Sequence, residues 1–580
     1  MAYGGHLLWG QPSGDISVAL RSCDGVNHGG DFNILGYDLS AALIKGLTHQ
    51  EFEDGLPVIT SPHPSHGYPT FEGWPFSGTI IHQQMHVDWL RRAYDGGLRL
   101  LSMLAVNNRL LSWVMEAREE AFDDDQIRQQ LEAARELVSA NSDWMEIATS
   151  AEHAASILAD DRLVVVLGVE VDEVELLISR DPAVLGTLEA QAASYLSGAS
   201  DSAPQIAGLA ATLQDLGVRQ ITPIHLADNI FGGPALYMDL TASNSHFLNL
   251  WMRGEAWSND SGWPELSSSP PADIEFKLSA FQVPPNRKTF FLDAPVDDAV
   301  RIAAYADRGL PAHANARGLT QAGQVLLLEL WRRGILVDID HMSAHAVETA
   351  LALAERFEVP MIATHCSMRA VAPSRSQLAV PVDWWLGWDG RTPDTRTNPL
   401  SWPTLAHEGM RSDDELLRLY GLGGMVGVAA RQPSTLSGPT SWFGRPLQWF
   451  DAGTIPAGWT QYLHAVSRVG TEAAVALGTD INGMNRAPKP VPPPVLTPTL
   501  DWDIYQPRQP GGIEPQTTGS RTWRVENDGL AHYGMLPDLL QRWRMEGVTQ
   551  QDLAPLWRSA DGYVATWRRA EQAASRVTRP

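Results

Sequence analysis

The chain has 580 residues, enough for three or four small domains or for one large α/β domain enlarged by insertions. It is 44% hydrophobic and 19% charged, which supports a large buried core and excludes a disordered protein. Acidic residues number 68 against 43 basic ones, for a formal charge of −25, so nucleic acid and anionic membrane surfaces are poor partners.

The N-terminal segment, residues 1–80, reads as irregular, and residues 81–580 read as a single domain. From about residue 80 onward, short apolar β-branched runs alternate with amphipathic segments, the pattern of repeated βα units around a parallel sheet. The runs are 98–106 (LRLLSMLAV), 163–170 (LVVVLGVE), 218–225 (VRQITPIH), 335–341 (ILVDIDH), 360–365 (PMIATH), 425–429 (MVGVA) and 475–480 (VALGTD). Helical periodicity is plain in the segment that starts near Asp123, and again over 322–333 and 344–357. Long, aromatic-rich insertions fall near 231–300, 370–412, 431–460 and 487–520, the kind of connection that carries function or covers a site. Glycine-rich 420–428 (YGLGGMVGV) lacks the lysine of a phosphate loop and reads as a tight turn before a strand. No Gly-rich phosphate loop follows the first run, so a (β/α)8 TIM-like barrel fits better than a doubly wound sheet, although only seven strands are found and the first is missing or replaced.

In such a barrel the strand ends converge on one mouth. The ends carry Asn107 and Asn108, Glu170, His225, His341, His365, Arg431 and Asp480. Imidazoles and carboxylates are preferred ligands of a divalent ion such as zinc, so the set is of metal-site type. Taken singly, each has a plainer reading: His341 and His365 as capping or core histidines, His225 as a donor to backbone, Asp480 as a turn residue. Glu170 is harder to dismiss, because an ionised carboxylate after LVVVLGV is costly unless paired or metal-bound. His63 and His66 lie among turn formers. His82 and His86, four apart, would share a helix face but lack the Glu of H-E-x-x-H. Only Cys23 and Cys366 are present, too few for a disulfide framework, and a buried filler role suits Cys366. With no signal peptide and no apolar membrane span in the sequence, the expected location is cytoplasmic.

Several passages, in order, resemble the membrane (renal-type) dipeptidases of the amidohydrolase superfamily. They are LGVE, GVRQITPIHLADN, GLTQAGQVLLLELWRRGILVDIDHMS, ATHCSMRAV, GLGGMVGV, LGTDING and GLAHYGMLPDLLQRWRMEGVTQQDL, together spanning about 95–570. The resemblance implies a zinc-dependent dipeptidase with two metal ions in the family and one or two here. It implies Glu170 as a bridging ligand, His341 and His365 as ligands of the second ion, and His225 as the group that contacts substrate and polarises its carbonyl. Asp480 would shuttle the proton. Arg375, with Arg369 as its rival, would bind the substrate carboxylate. A homodimer is implied as well. The family's first-strand His-x-Asp or His-x-His pair has no counterpart near this N-terminus, where 15–22 (DISVALRS) offers a surrogate strand. The expected activity is hydrolysis of a dipeptide-like amide by metal-activated water. The alternatives are a non-catalytic barrel that binds a small molecule, or a hydrolase of another small amide, ester or lactone.

Overall fold

The structure is a computed structural model that describes residues 15–20, 52–53, 56–57, 66–72, 75–77, 85–108, 122–235, 303–304, 313–314, 317–371, 409–430, 455–482, 487–488 and 514–579. The four expected insertions lie largely outside these residues, as do Cys23, His63, His82, Arg375 and Arg431. Eight strands make the main parallel sheet: β1 (Leu100–Asn107), β2 (Met145–Ile147), β3 (Leu163–Val171), β4 (Gln220–Thr222), β5 (Leu336–Val337), β6 (Ile362–Cys366), β7 (Met425–Ala429) and β8 (Val475–Gly478).

Every residue of β3 is buried, as a near-continuous apolar run demands of a strand covered on both faces. Pairing runs β1-β3-β4-β5 and, separately, β6-β7-β8, with all pairs parallel. A bridge between Asp338 and Ile362, with Ile339 N–H donating to Ile362 O at 2.9 Å, joins the two groups. The short β2 pairs with the first residues of β3, on the side that β4 takes further along. The seven strand candidates of the sequence are all present. Two fall short of their runs by five residues each. β4 stops at Thr222 because Pro223 has no N–H to donate, and β5 gives way to the bridge at Asp338 and a left-handed residue at His341, φ 66°.

The fold is thus mixed α/β on a parallel sheet. A closed eight-stranded barrel is not found among the described residues: β1 pairs only with β3 and β8 only with β7. A cavity of about 710 Å³ lies between them, lined by residues of both strands and reaching Glu170, His365 and Asp480. The surrogate strand is corrected too. Ile16–Ala19 is a helical turn capped by Asp15, whose carboxylate accepts the Ser17 N–H; an Asp two residues before a Ser offers the backbone a cap in place of a ladder.

Helices cover the sheet where expected: α1 (Asp123–Ser139), α2 (Gln321–Trp331) and α3 (Ala344–Phe357) follow the predicted periodicity. The α3 N-terminus is capped by Ser343, whose hydroxyl accepts Ala346 N–H. A later helix, α4 (Ser559–Ala573), packs Tyr563, Val564, Trp567 and Ala570 against Ile362, Met425 and Leu336. No described helix is long and apolar enough to cross a membrane.

An aromatic cluster ties Phe71 and Trp89 to the C-terminal region. Trp89 stacks on His532 with centroids 4.1 Å apart, and Trp523 meets both rings edge-on. Phe71, with φ 52°, is fully buried against Trp89 and Trp523. His532 Nδ1 accepts the Gly534 N–H at 3.2 Å, so the neutral ring is the form that fits. Burial, then the nearby Arg92 and Arg521, hold its pKa well below the ordinary 6.5. The unfolded chain therefore takes up a proton below about pH 6.5 that the folded one refuses, and the stability contributed by neutral His532 declines as pH falls. Urea titrations at pH 7 and pH 5.5 should show the wild type losing roughly 1 kcal/mol more between them than a His532→Gln variant, close to one proton's worth. Equal losses in the two proteins would rule out this origin.

Candidate metal centre

Parallel strands place their last residues at one rim, and three donors meet there. Glu170 is the penultimate residue of β3, His365 lies in β6, and His341 follows β5 in the turn before α3. His341 Nε2 lies 2.7 Å from His365 Nε2, and Glu170 Oε1 lies 3.2 Å and 3.5 Å from those two nitrogens. Two ring nitrogens at 2.7 Å can share only one proton, so one must accept. Glu170 Oε1 is buried with no hydrogen-bond partner. An N, N, O donor set around an orphaned carboxylate oxygen fits a divalent ion of the zinc class.

The electrostatics point the same way. Burial alone would raise the Glu170 carboxyl, but His365, His341 and His225 together hold it well below the usual carboxylate range. Burial would lower His365, yet Glu170, Asp340, Asp480 and Asp338 push it up to about 9. Burial lowers His341, as do the neighbouring His225 and His365, against the opposing pull of Glu170. The carboxylates thus favour a positive charge at this rim, and without a cation an imidazole must carry it.

His225 stands beside this trio, its ring edge-on to His341 at 4.7 Å, and it offers a nitrogen within 4.8 Å of Glu170 and His341 donors. Burial lowers His225, but Asp172 and Glu170 outweigh it and raise the group. Asp480 and Asn482, with φ 48° and 68°, follow β8 and line the cavity that also reaches Glu170 and His365. Among the six described non-glycine residues with positive φ, His341, Asp480 and Asn482 all lie here, and such backbone strain gathers at functional sites. Asn tolerates the left-handed region well, which suits Asn482. Tyr533 lines the same cavity and hydrogen-bonds with Thr479.

Behind His365, Asp340 Oδ2 accepts its backbone N–H at 2.7 Å and lies 3.8 Å from Nδ1. Asp338 takes the hydroxyls of Thr364 and Thr222, and burial with the adjacent Asp340 raises it to about 7. Arg411, fully buried, sits 3.8 Å from Asp340 and 3.9 Å from Glu415. Arg369, one of the two expected substrate arginines, is 5% exposed and faces Glu415 at 3.9 Å. Cys366 is buried, with its thiol raised by burial, in keeping with a filler role. His86 is a buried N-cap whose Nδ1 accepts Asp88 N–H, and His66 is exposed. The sequence reading passed over Asp172, Asp340 and Arg411. The argument applied to Glu170, a carboxylate inside an apolar run, would have found Asp340 in ILVDIDH.

Main-chain contact sets the position of His365. A Cβ built on Gly478 would lie 2.3 Å from His365 Cα and 2.3 Å from Thr364 O, and one on Gly427 would lie 2.2 Å from Thr364 O. Gly478→Ala should therefore shift β6, cost about 1–3 kcal/mol of stability and weaken divalent-ion binding ~10-fold or more, read by competition with a chromophoric chelator. Gly421→Ala, whose Cβ would meet nothing within 4 Å, is the control that should leave ion binding unchanged.

Compared with known proteins, residues 299–381 match the family model described as membrane dipeptidase, Peptidase family M19. No curated protein matches the chain. Solved structures do match. A metallopeptidase from Rhodobacter sphaeroides, liganded with a phosphinate mimic of the dipeptide L-Ala-D-Ala, is 13% identical, with 95% of this chain and 99% of that one covered and a TM-score of 0.37. The probable dipeptidase PvdM from Pseudomonas aeruginosa is 12% identical, with coverages of 86% and 93% and a TM-score of 0.41. A dipeptidase AC of family M19 is 13% identical, with coverages of 83% and 88% and a TM-score of 0.39. Two of the passages that carry the resemblance, GLTQAGQVLLLELWRRGILVDIDHMS and ATHCSMRAV, lie within residues 299–381, the stretch that is similar to the membrane dipeptidase family model.

Proposed function

We propose that the protein is a metal-dependent hydrolase of the dipeptidase type, built on a barrel-like (β/α) frame, that cleaves a dipeptide-like amide. The observation that carries this reading is the convergence of Glu170 Oε1, His341 Nε2 and His365 Nε2 within 3.5 Å, on a cavity shared with Asp480. Zinc is the proposed ion, one or two per chain, with these three residues as ligands. When bound, it would supply Lewis acidity to the scissile carbonyl and lower the pKa of water.

The remaining steps belong to the chain's own groups. Asp480, which lines the cavity, takes the proton of the attacking water and returns it to the leaving amine. His225 donates to the carbonyl oxygen as negative charge develops there. Arg375 is the proposed partner of the substrate carboxylate, because the rival Arg369 is already committed to Glu415. The acidic chain does not oppose this, since a zwitterion is captured by local groups.

The test combines metal content with turnover. Purified protein should carry one to two equivalents of zinc, lost in a His341→Ala, His365→Ala double variant, and should hydrolyse members of a panel of L,L and L,D dipeptides. Asp480→Asn should keep its metal while kcat falls ~10²- to 10⁴-fold. Metal content no higher than the double variant's, with no hydrolysis after added zinc, would overturn the reading in favour of a binding barrel.

A further inference from the structure

Arg411 is fully buried and has no part in the proposed reaction. It stands between the two segments that carry the imidazole donors. On the β6 side, its backbone N–H donates to Ser367 O at 2.8 Å and its carbonyl accepts the Arg369 N–H at 2.9 Å, so it pairs with the chain just past His365. On the β5 side, its Nε lies 3.8 Å from Oδ1 of Asp340, the residue before His341. That oxygen is buried and accepts no hydrogen bond among the described residues. The other oxygen, Oδ2, accepts the His365 N–H at 2.7 Å. A purely space-filling role would be served as well by an apolar side chain, since a buried ion pair is often matched or bettered by hydrophobic residues of similar volume. A guanidinium suits a place where direction matters. Here its fork donates to Gly409 O at 2.9 Å and lies 3.9 Å from Glu415 while Nε faces Asp340.

We propose that Arg411 is a positioning residue of the metal centre: by holding the Asp340 carboxylate against the His365 main chain, it fixes the spacing of the His341 and His365 donors. The two ring nitrogens lie 2.7 Å apart and come from different segments, so a slip of one segment against the other would open the donor set. The main-chain link between those segments is thin, a single bridge from Asp338 to Ile362. Beyond it the join is made by side chains. Asp338 Oδ1 accepts the N–H groups of Asp340 at 3.0 Å and Thr364 at 3.3 Å, and Asp340 accepts that of His365. Arg411 seats the second of these carboxylates, as groups behind a ligand do when they set its direction. The effect on the ion rests on the zinc reading above, whereas the join itself is measured in metal-free protein.

The experiment is a double-mutant cycle on Arg411→Met and Asp340→Ala with two readouts. Amide hydrogen exchange in metal-free protein follows residues 362–368, with β3 as the internal reference, and zinc affinity comes from competition with a chromophoric chelator. Arg411→Met should speed exchange at His365 roughly 10-fold while β3 keeps its protection, and should weaken zinc binding ~10- to 100-fold. Arg411→Lys, which keeps the charge without the fork, should recover part of both losses. Asp340→Ala should reproduce both losses, and adding Arg411→Met to it should change neither by more than about twofold, because the arginine acts through that carboxylate. A loss of protection spread evenly over β3 and β6 would reduce Arg411 to general stability and overturn the proposal. So would a folded Arg411→Met protein with wild-type exchange at His365 and wild-type zinc affinity, or effects of the two substitutions that multiply. If Arg411→Met does not fold, the cycle of Arg411→Lys with Asp340→Ala decides by the same criteria. A wild type that binds no zinc yet shows the expected exchange pattern would remove the metal-dependent reading of the site and leave Arg411 as the pin of the join.

Discussion

The arrangement turns on the charge of one carboxylate. Glu170 lies one residue from the end of a strand whose nine residues are all buried, and a carboxylate ionised there needs positive charge beside it. Two imidazoles answer it directly, at 3.2 Å and 3.5 Å, and both come from neighbouring strand ends of one parallel sheet. The strand order brings them together. β5 and β6 are adjacent through the Asp338–Ile362 bridge, and β3 is separated from β5 only by β4.

Around this centre the polar groups form layers. Asp340, Asp338 and Arg411 stand behind His365, whereas Asp172 and Asn108 stand behind His225. His365 and His225 thus each have a carboxylate at the back, the arrangement that orients a ring and raises its basicity. The price in buried charge is met by hydrogen bonds from backbone N–H, asparagine and threonine groups rather than by solvent. Such a rim suits chemistry that needs fixed directions more than it suits a surface for casual binding.

Much of this was legible in the sequence. The apolar runs at 163–170, 425–429 and 475–480 became strands because short, fully buried parallel strands leave a continuous hydrophobic signature. Glu170, His341, His365 and His225 were singled out because strand ends are the places where polar residues stand out against such runs, and the structure brings them together. The shortness of β2, three residues long, left no period to read. The segment at 15–22 misled because its alternation suits a strand, while the local Asp15–Ser17 cap decides for a helical turn. Asp172 and Arg411 escaped because their value depends on which distant loop or strand comes to face them, and a one-dimensional pattern does not contain that. Barrel closure depends in the same way on the partners of β1 and β8, which periodicity cannot name.

Gly427 and Gly478 give the centre a particular kind of robustness. Because β7 and β8 touch β6 backbone to backbone, His365 is located by chain path and not by the bulk of neighbouring side chains. Mutational drift in those side chains can therefore retune the local charge, or the shape of the cavity, without moving the imidazole. The freedom to vary and the obligation to stay put fall on different positions, with the obligation on the two that have no side chain at all.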